Sequence, residues 1–258
     1  MDRQLEQIKY YLDEQYQKYC YSAFIDDDPI QIPHSFTDVG DVEISGLFAA
    51  TFAWGVRKTI ISKSKELMSR MDNDPYSFIL NHSPSDLNAL KGFKHRTFSF
   101  DDACAFVEVL SQVYKQYATF DEFLLKNGAL VPEKALRLIR TQFEMVLGVG
   151  HPSLRHVANI DAGSAAKRLN MYFRWMVRTS CEGVDFGLWK SMASSDLLIP
   201  LDLHVGNTAR ELGILTRKQN DFKATVELTH FLRKLDPFDP IKYDFALFSL
   251  GVNSKQVK

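Results

Sequence analysis

Apolar residues recur at helical spacing along almost the whole of this 258-residue chain. Between Asp101 and Tyr117 they stand three and four positions apart, which places them on one face of an α-helix. Helical patterns or helix-start signals also occur in residues 2–20, 41–71, 132–148, 165–178, 186–194, 203–213, 221–235 and 240–250. No segment combines period-two alternation with paired turn residues, so the sequence predicts an all-α fold.

The composition suits a packed globular protein, because 45% of the residues are hydrophobic and 24% are charged. That apolar content excludes disordered and fibrous chains. Residues 25–40 hold two prolines and a run of aspartates, which is typical of a loop or arm. We therefore predict an N-terminal helix and arm over residues 1–40, a helical domain over residues 41–253 and a tail over residues 254–258.

Several classes of function are excluded by what the sequence lacks. It has no run of about 18 apolar residues and its N-terminus is too polar for a signal peptide, so we expect a cytoplasmic protein without a membrane partner. Cys20, Cys104 and Cys181 have no paired spacing and are expected to be reduced thiols. Without metal-binding histidine spacings or cofactor-binding glycine motifs, we expect neither a metal nor a cofactor. We also expect a monomer. The net charge of −1 argues against a histone-like polyanion binder but is compatible with a local basic patch.

The densest candidate site is a polar stripe on the helix predicted at residues 165–178. Its members are Lys167, Asn170, Arg174 and Arg178. At about 100° per residue these four positions fall within one arc of about 80°. The stripe contains no carboxylate, whereas solvated helix faces ordinarily mix both signs of charge. Two interpretations stay open from the pattern alone. The stripe is either a binding surface or a structural feature, namely a surface stripe or a set of internal salt-bridge donors.

A second candidate site lies in the segment IPLDLHVGNTARELG, residues 199–213. Apolar spacing predicts a helix that begins near Leu203, which places Asp202 at the N-cap. Free backbone N–H groups and the helix dipole keep a carboxylate ionised at that position. An ionised carboxylate can serve only as a cap, or it can also act as a general base or stabilise a cation.

The third segment, LDPFDPIKYDFALFSLG at residues 235–251, contains a carboxylate inside an apolar run. Two Asp-Pro pairs set a helix start, and the apolar residues that follow are expected to be buried. Asp244 would then be partly buried and would need a hydrogen-bonding or ion-pairing partner. We expect a structural role for it.

Taken together, these segments resemble the helix-hairpin-helix base-excision DNA glycosylase superfamily over residues 41–253. LDLHVGNTARELGI is similar to that superfamily's Val-Asp-x-His-Val-type segment, and IDAGSAAKRLN stands where its Leu-Pro-Gly-Val-Gly-x-Lys hairpin would lie. GLFAATFAWGVRKTIISKSKELM looks like its early helix. More narrowly, KRLNMYFRWMVR, IPLDLHV and YDFALF look like the signature of an uncharacterised bacterial family. The spacing of 35 residues between Lys167 and Asp202 is closest to the archaeal oxoguanine DNA glycosylase branch.

The resemblance implies a two-lobed helical fold with a cleft between the lobes, and excision of a damaged base from duplex DNA, with an oxidised purine as the expected base. Lys167 would be the nucleophilic amine and Asp202 the catalytic carboxylate, both facing one cleft within several ångströms of each other. Neighbouring cations such as Arg168 and Arg174 would favour a free amine, which can attack C1′ of a flipped nucleotide. The resulting Schiff base would permit strand cleavage by β-elimination.

The resemblance also implies contacts to nucleic acid. The residues assigned to these contacts are Gly163, Ser164, Arg168, Asn170, Arg174 and Arg178. Arg174 and Arg178 would meet phosphates, and such binding weakens with salt. Trp54 or Trp175 would stack on the base. Two other functions stay open: a non-catalytic protein of the same fold that binds nucleic acid or nucleotides, and a helical interaction module whose stripe pairs with an acidic partner.

Overall fold

The computed structural model describes residues 3–180 and 183–253, and its architecture is all-α, as the sequence predicts. The α-helices are α1 (Arg3–Tyr19), α2 (Val39–Phe52), α3 (Arg57–Arg70), α4 (Pro75–Asn81), α5 (Phe100–Tyr114), α6 (Phe120–Lys126), α7 (Pro132–Leu147), α8 (Lys167–Val177), α9 (Leu203–Glu211), α10 (Phe222–Leu235) and α11 (Tyr243–Asn253). Short 3₁₀ helices occur at Ser22–Asp27, Pro29–Gln31, Pro33–Ser35, Asp86–Leu90, Pro152–His156, Ser194–Asp196 and Pro240–Lys242. Strand β1 (Lys94–His95) pairs antiparallel with β2 (Phe98–Ser99).

Two sequence predictions lie outside the described residues, namely the thiol state of Cys181 and the tail at residues 254–258. Within the described part of the chain, Cys20 and Cys104 are free cysteines.

The chain divides into two compact units. The first unit consists of Met1–Phe24 and Asn159–Lys258, and the second is Ile25–Ala158. The first 24 residues therefore pack with the C-terminal part of the chain. The sequence-based boundary at residue 40 and the cleft between two lobes stay predictions.

In the first unit, α11 packs against both α1 and α9. The approach of α11 to α9 requires a glycine at position 251. A Cβ atom on Gly251 would lie 2.8 Å from the Thr208 hydroxyl oxygen and 2.9 Å from the His204 carbonyl oxygen. On the α1 side, the Tyr243 hydroxyl donates a hydrogen bond to Asp13 at 3.0 Å.

In the second unit, α2 is buried over almost its whole surface and lies inside a cluster of aromatic rings. The cluster contains Phe48, Phe52, Phe93, Phe98, Phe106 and Phe143. One carboxylate, that of Glu43, is fully buried in α2. It accepts hydrogen bonds from the Tyr114 hydroxyl at 3.0 Å and from the Phe120 backbone N–H at 2.9 Å. Glu43 thereby fixes the start of α6, a helix that the sequence patterns did not predict.

Local signals in the sequence correctly predict where most of the helices begin. Pro132 occupies the first turn of α7, and Asp74 caps α4 ahead of Pro75. The segment predicted as one or two helices after Asp41 forms two, α2 and α3. They are separated at Gly55, whose φ of +106° lies in the region that favours glycine.

The helix predicted near residues 186–194 is wrong, because this segment is irregular up to the short 3₁₀ helix at Ser194–Asp196. The Phe186 N–H donates to the Trp175 carbonyl at 2.8 Å, and the Trp189 N–H donates to the Met176 carbonyl at 2.9 Å. These carbonyls belong to the last turn of α8, where the carbonyl groups have no N–H donor within the helix. The backbone N–H groups of this segment therefore bond to carbonyls at the end of α8 instead of forming a helix of their own.

Candidate functional site

Lys167 is the first residue of α8, and its side chain is half-buried. Its Nζ lies 3.8 Å from the Met171 sulfur, which is a weak acceptor. In the part of the chain that the structure describes, no carboxylate forms an ion pair with Nζ. The amine is therefore partly removed from water without being neutralised by a direct partner.

Asp202 caps α9, as the sequence predicts. Its Oδ1 accepts hydrogen bonds from the backbone N–H groups of His204 at 2.9 Å and Val205 at 3.0 Å. Among the residues that the structure describes, none donates a hydrogen bond to its second carboxylate oxygen. One oxygen thus holds the helix, and the other remains available for chemistry.

A third residue, Asp244 of α11, is affected by the charges of both. It is buried and receives a hydrogen bond from the Arg174 guanidinium, which confirms the expected partner. Burial raises the pKa of the Asp244 carboxyl to about 6. The negative charge of Asp202 adds to this rise, whereas the positive charges of Arg174 and Lys167 oppose it. Lys167 and Asp202 therefore share Asp244 as an electrostatic neighbour although 35 residues separate them. Their direct separation of several ångströms stays a prediction.

Arg174 and Arg178 are internal salt-bridge donors, one of the interpretations that the sequence left open. They are 4% and 1% exposed. Arg174 Nε lies 3.3 Å from one oxygen of Asp185, and Arg178 Nη1 lies 2.8 Å from the other. Arg178 also contacts Asp239 at 2.9 Å. Because both guanidiniums are buried against carboxylates of their own unit, the prediction that they meet phosphates is corrected.

The remaining α8 residues differ in their surroundings. Asn170 is 1% exposed, and its Nδ2 donates to the Ala165 carbonyl at 3.2 Å. Trp175 is fully buried, so the prediction that its ring stacks on a base is corrected: the ring belongs to the core. Arg168 is partly buried, and this burial lowers the pKa of its guanidinium. Contacts of Asn170 and Arg168 to nucleic acid stay predictions.

The turn before α8 is tied to the start of α10. Gly163 has a φ of +88°, and its carbonyl accepts a hydrogen bond from the Phe222 N–H at 3.1 Å. The Ser164 hydroxyl accepts one from the Ala166 N–H at 3.2 Å. Ala166 itself has a left-handed φ of +51° and offers no side-chain cap to α8. Phosphate binding by Gly163 and Ser164 stays a prediction.

Trp54 belongs to the second unit and is half-exposed. The guanidinium carbon of Arg96 lies 4.2 Å from the centroid of one of its rings. A role for Trp54 in stacking on a base stays a prediction, and Arg96 is a neighbour that sequence reasoning missed.

Sequence reasoning also missed Asp185, the carboxylate that joins the two buried arginines. Asp185 is 3% exposed and stands between apolar residues in the segment VDFGLW. The signal that identified Asp244, a lone carboxylate inside an apolar run, would have identified Asp185 too.

Among the described residues, no group of three or more His, Cys, Asp and Glu side chains could hold a metal ion. In the same part of the chain, no helix has the length and apolar character needed to cross a membrane.

The fold and the site define an all-α protein in which the charges of a half-buried lysine and of an aspartate at a helix N-cap both act on one buried carboxyl group. Residues 28–253 match the family described as "Protein of unknown function (DUF2400)". The match covers most of the chain, which therefore belongs to this family; α1 lies outside the matched range. No curated protein and no solved structure matches the chain.

Proposed function

We propose that this protein is a DNA base-excision glycosylase that acts on a flipped, damaged nucleotide through Lys167 and Asp202, with an associated β-lyase activity. One observation carries the proposal. The charges of Lys167 and Asp202 both act on the buried carboxyl of Asp244, which supports a shared site for an amine and a carboxylate that are remote in sequence. The resemblance to helix-hairpin-helix glycosylases supplies the reaction that this pair would perform.

Lys167 is the nucleophile in this proposal. A nucleophilic lysine needs an amine that is shielded from water and is not fixed in an ion pair, and the half-buried Nζ beside Met171 meets both conditions. Its lone pair attacks C1′ of the flipped nucleotide, the glycosidic bond breaks, and the base leaves with the bonding electrons. Opening of the sugar ring then gives a protonated Schiff base, from which loss of the C2′ proton expels the 3′ phosphate.

Asp202 is the catalytic carboxylate. The N-terminus of α9 orients it through Oδ1, while the second oxygen remains open. That oxygen accepts the proton that the Lys167 amine must lose, or stabilises positive charge developing on the sugar. Asp244 is held by Arg174 and contributes its charge without touching the nucleotide.

The proposal is tested by borohydride trapping on duplexes that carry 8-oxoguanine, uracil or an abasic site. We expect a covalent protein–DNA adduct with the wild type and its loss in Lys167→Ala. Lys223→Ala is the matched control, because Lys223 is an exposed lysine of the same unit, and it should form the adduct normally.

Asp202→Ala separates the two activities. Base release without any adduct, abolished in Asp202→Ala, would identify a glycosylase without lyase activity. An adduct that persists in Lys167→Ala would contradict the assigned nucleophile. If no duplex gives an adduct or base release, the proposal falls and a non-catalytic binding protein becomes the better interpretation.

A further inference from the structure

Two segments of the second unit carry positive charge only. Residues 44–65 and 87–100 contain no Asp or Glu, and their cations are Arg57, Lys58, Lys63, Lys65, Lys91, Lys94 and Arg96. The whole chain has 31 basic and 32 acidic side chains, so an even mixture would have placed carboxylates in both segments. The positive charge is therefore a local feature that the net charge hides.

The fold brings these two segments to one surface. Helix α3 packs against β1 and against the 3₁₀ helix at Asp86–Leu90. Arg96 spans the two segments, with its guanidinium carbon 4.2 Å from a ring centroid of Trp54. Lys63 makes a second link, with its Nζ 5.7 Å from the Phe93 ring centroid. We call the surface formed by Trp54, Lys58, Lys91, Lys94 and Arg96 the Trp54 face.

The cations of the Trp54 face are not neutralised within the protein. Lys63, by contrast, contacts Glu66 at 2.6 Å, and Arg57 lies 4.0 Å from Asp28. The four cations of the Trp54 face are exposed, and none of them forms an ion pair within the described part of the chain: Lys58, Lys91, Lys94 and Arg96. Uncompensated charges of one sign repel each other, and a polyanionic partner would relieve that repulsion.

The backbone holds Arg96 over Trp54. Arg96 has a left-handed φ of +56°, a conformation that non-glycine residues rarely adopt. A Cβ atom at Gly55 would lie 2.7 Å from Arg96 Nη1, so Gly55 leaves room for the guanidinium in this position. A stacked guanidinium keeps its N–H groups directed outward in one plane, the arrangement that suits phosphate oxygens.

The start of α3 adds to the positive potential. Val56 provides no side-chain cap, and the first two residues of the helix, Arg57 and Lys58, are cations. Cations at a helix N-terminus are disfavoured by the helix dipole, whereas anions there are favoured. A phosphate bound near Lys58 would offset this penalty.

We propose that the Trp54 face binds the phosphate backbone of duplex DNA, with Lys58, Lys94 and Arg96 in contact with phosphates. The choice of DNA rests on the proposed glycosylase function, while the polyanion-binding chemistry rests on the surface itself. The Trp54 face thus supplies the phosphate contacts that the buried Arg174 and Arg178 do not make.

The test is fluorescence anisotropy of a labelled, undamaged duplex with the full-length protein between about 50 and 200 mM salt. Lys58→Gln, Lys94→Gln and Arg96→Gln should each weaken binding severalfold and reduce the slope of log K against log salt by about 0.9. Lys126→Gln is the matched control, because Lys126 is an exposed lysine of the same unit outside both segments, and its binding should be unchanged.

Arg96→Lys separates charge from stacking. It keeps the charge, so the salt slope should stay at the wild-type value, while loss of the planar group should lower the affinity. Unchanged affinity and slope in the three Gln variants would overturn the proposal. Absence of duplex binding with salt-sensitive binding to polyglutamate would also overturn it, in favour of an acidic protein partner.

The outcomes also separate this proposal from the proposed function. Salt-dependent binding that is lost in the Gln variants, with no adduct on any damaged duplex, would retain the Trp54 face and reject the glycosylase. An adduct that forms equally well in the Gln variants, with unchanged duplex binding, would retain the glycosylase and reject the Trp54 face.

Discussion

Asp244 is a buried carboxyl group whose charged form the folded protein disfavours. Burial raises its pKa from 3.8 to about 6 despite the opposing charge of Arg174. Because the pKa is higher in the folded state, the folded protein binds the proton more tightly than the unfolded chain does. Protonation of Asp244 therefore contributes fully to the free energy of unfolding below about pH 4, and this contribution is lost as the pH rises through 6.

Asp244→Asn should remove this pH dependence. A pKa raised from 3.8 to about 6 corresponds to roughly 3 kcal/mol. The free energy of unfolding of the wild type, relative to that of Asp244→Asn, should fall by an amount of that order between about pH 4 and pH 7.5. Urea denaturation of both proteins across this range measures the difference. A difference that does not vary with pH would show that Asp244 is ionised throughout.

Asp185 is the residue on which the two buried arginines depend. Its side chain is fully buried between Arg174 and Arg178. Removing one member of a buried ion-pair network costs about 3–5 kcal/mol, because charges are left without compensation. Asp185→Asn should therefore lower the free energy of unfolding by several kcal/mol in denaturant titrations. Asp26→Asn, at an exposed carboxylate, should change it little. Equal effects of the two substitutions would contradict the network.

The stripe on α8 shows where sequence reasoning stops at the level of single residues. Helical spacing places Lys167, Arg174 and Arg178 on one arc, but it does not say what covers that arc. The covering carboxylates come from other segments, at Asp185 and Asp244. The sequence therefore identifies the polar side of α8 but not which of its cations are buried.

At the level of whole elements, local signals predict helices well and tertiary hydrogen bonds poorly. The starts of α7 and α9 follow from Pro132 and Asp202, which act within one turn of the helix. The prediction of a helix near residues 186–194 is wrong because N–H groups of this segment bond to the end of α8. No local pattern contains that information, because the partner residues stand about ten positions earlier in the chain.

The contact between α9 and α11 makes a prediction at this scale. A methyl group at position 251 would press on Thr208 and His204, and overpacking of this kind costs about 1–3 kcal/mol. Gly251→Ala should lower the melting temperature. It should also slow adduct formation, because α11 carries Asp244 and α9 begins next to Asp202. Adduct formation at the wild-type rate would show that this contact does not position the site.

At the level of the whole molecule, a net charge of −1 conceals two different uses of arginine and lysine. In the first unit, arginines are buried in ion pairs and support the fold. In the second unit, exposed cations around Trp54 lack carboxylate partners in the part of the chain that the structure describes. Composition alone could not separate these uses, because burial depends on which segments pack together.

The central claim is that Lys167 is the nucleophile, and peptide mapping of the borohydride-trapped adduct tests it most directly. Proteolysis and mass spectrometry of the complex trapped on an abasic-site duplex should place the nucleotide remnant on Lys167. The same measurement on Asp202→Asn should give much less adduct at the same residue. A remnant on a different lysine, or no adduct on any damaged duplex, would contradict the claim.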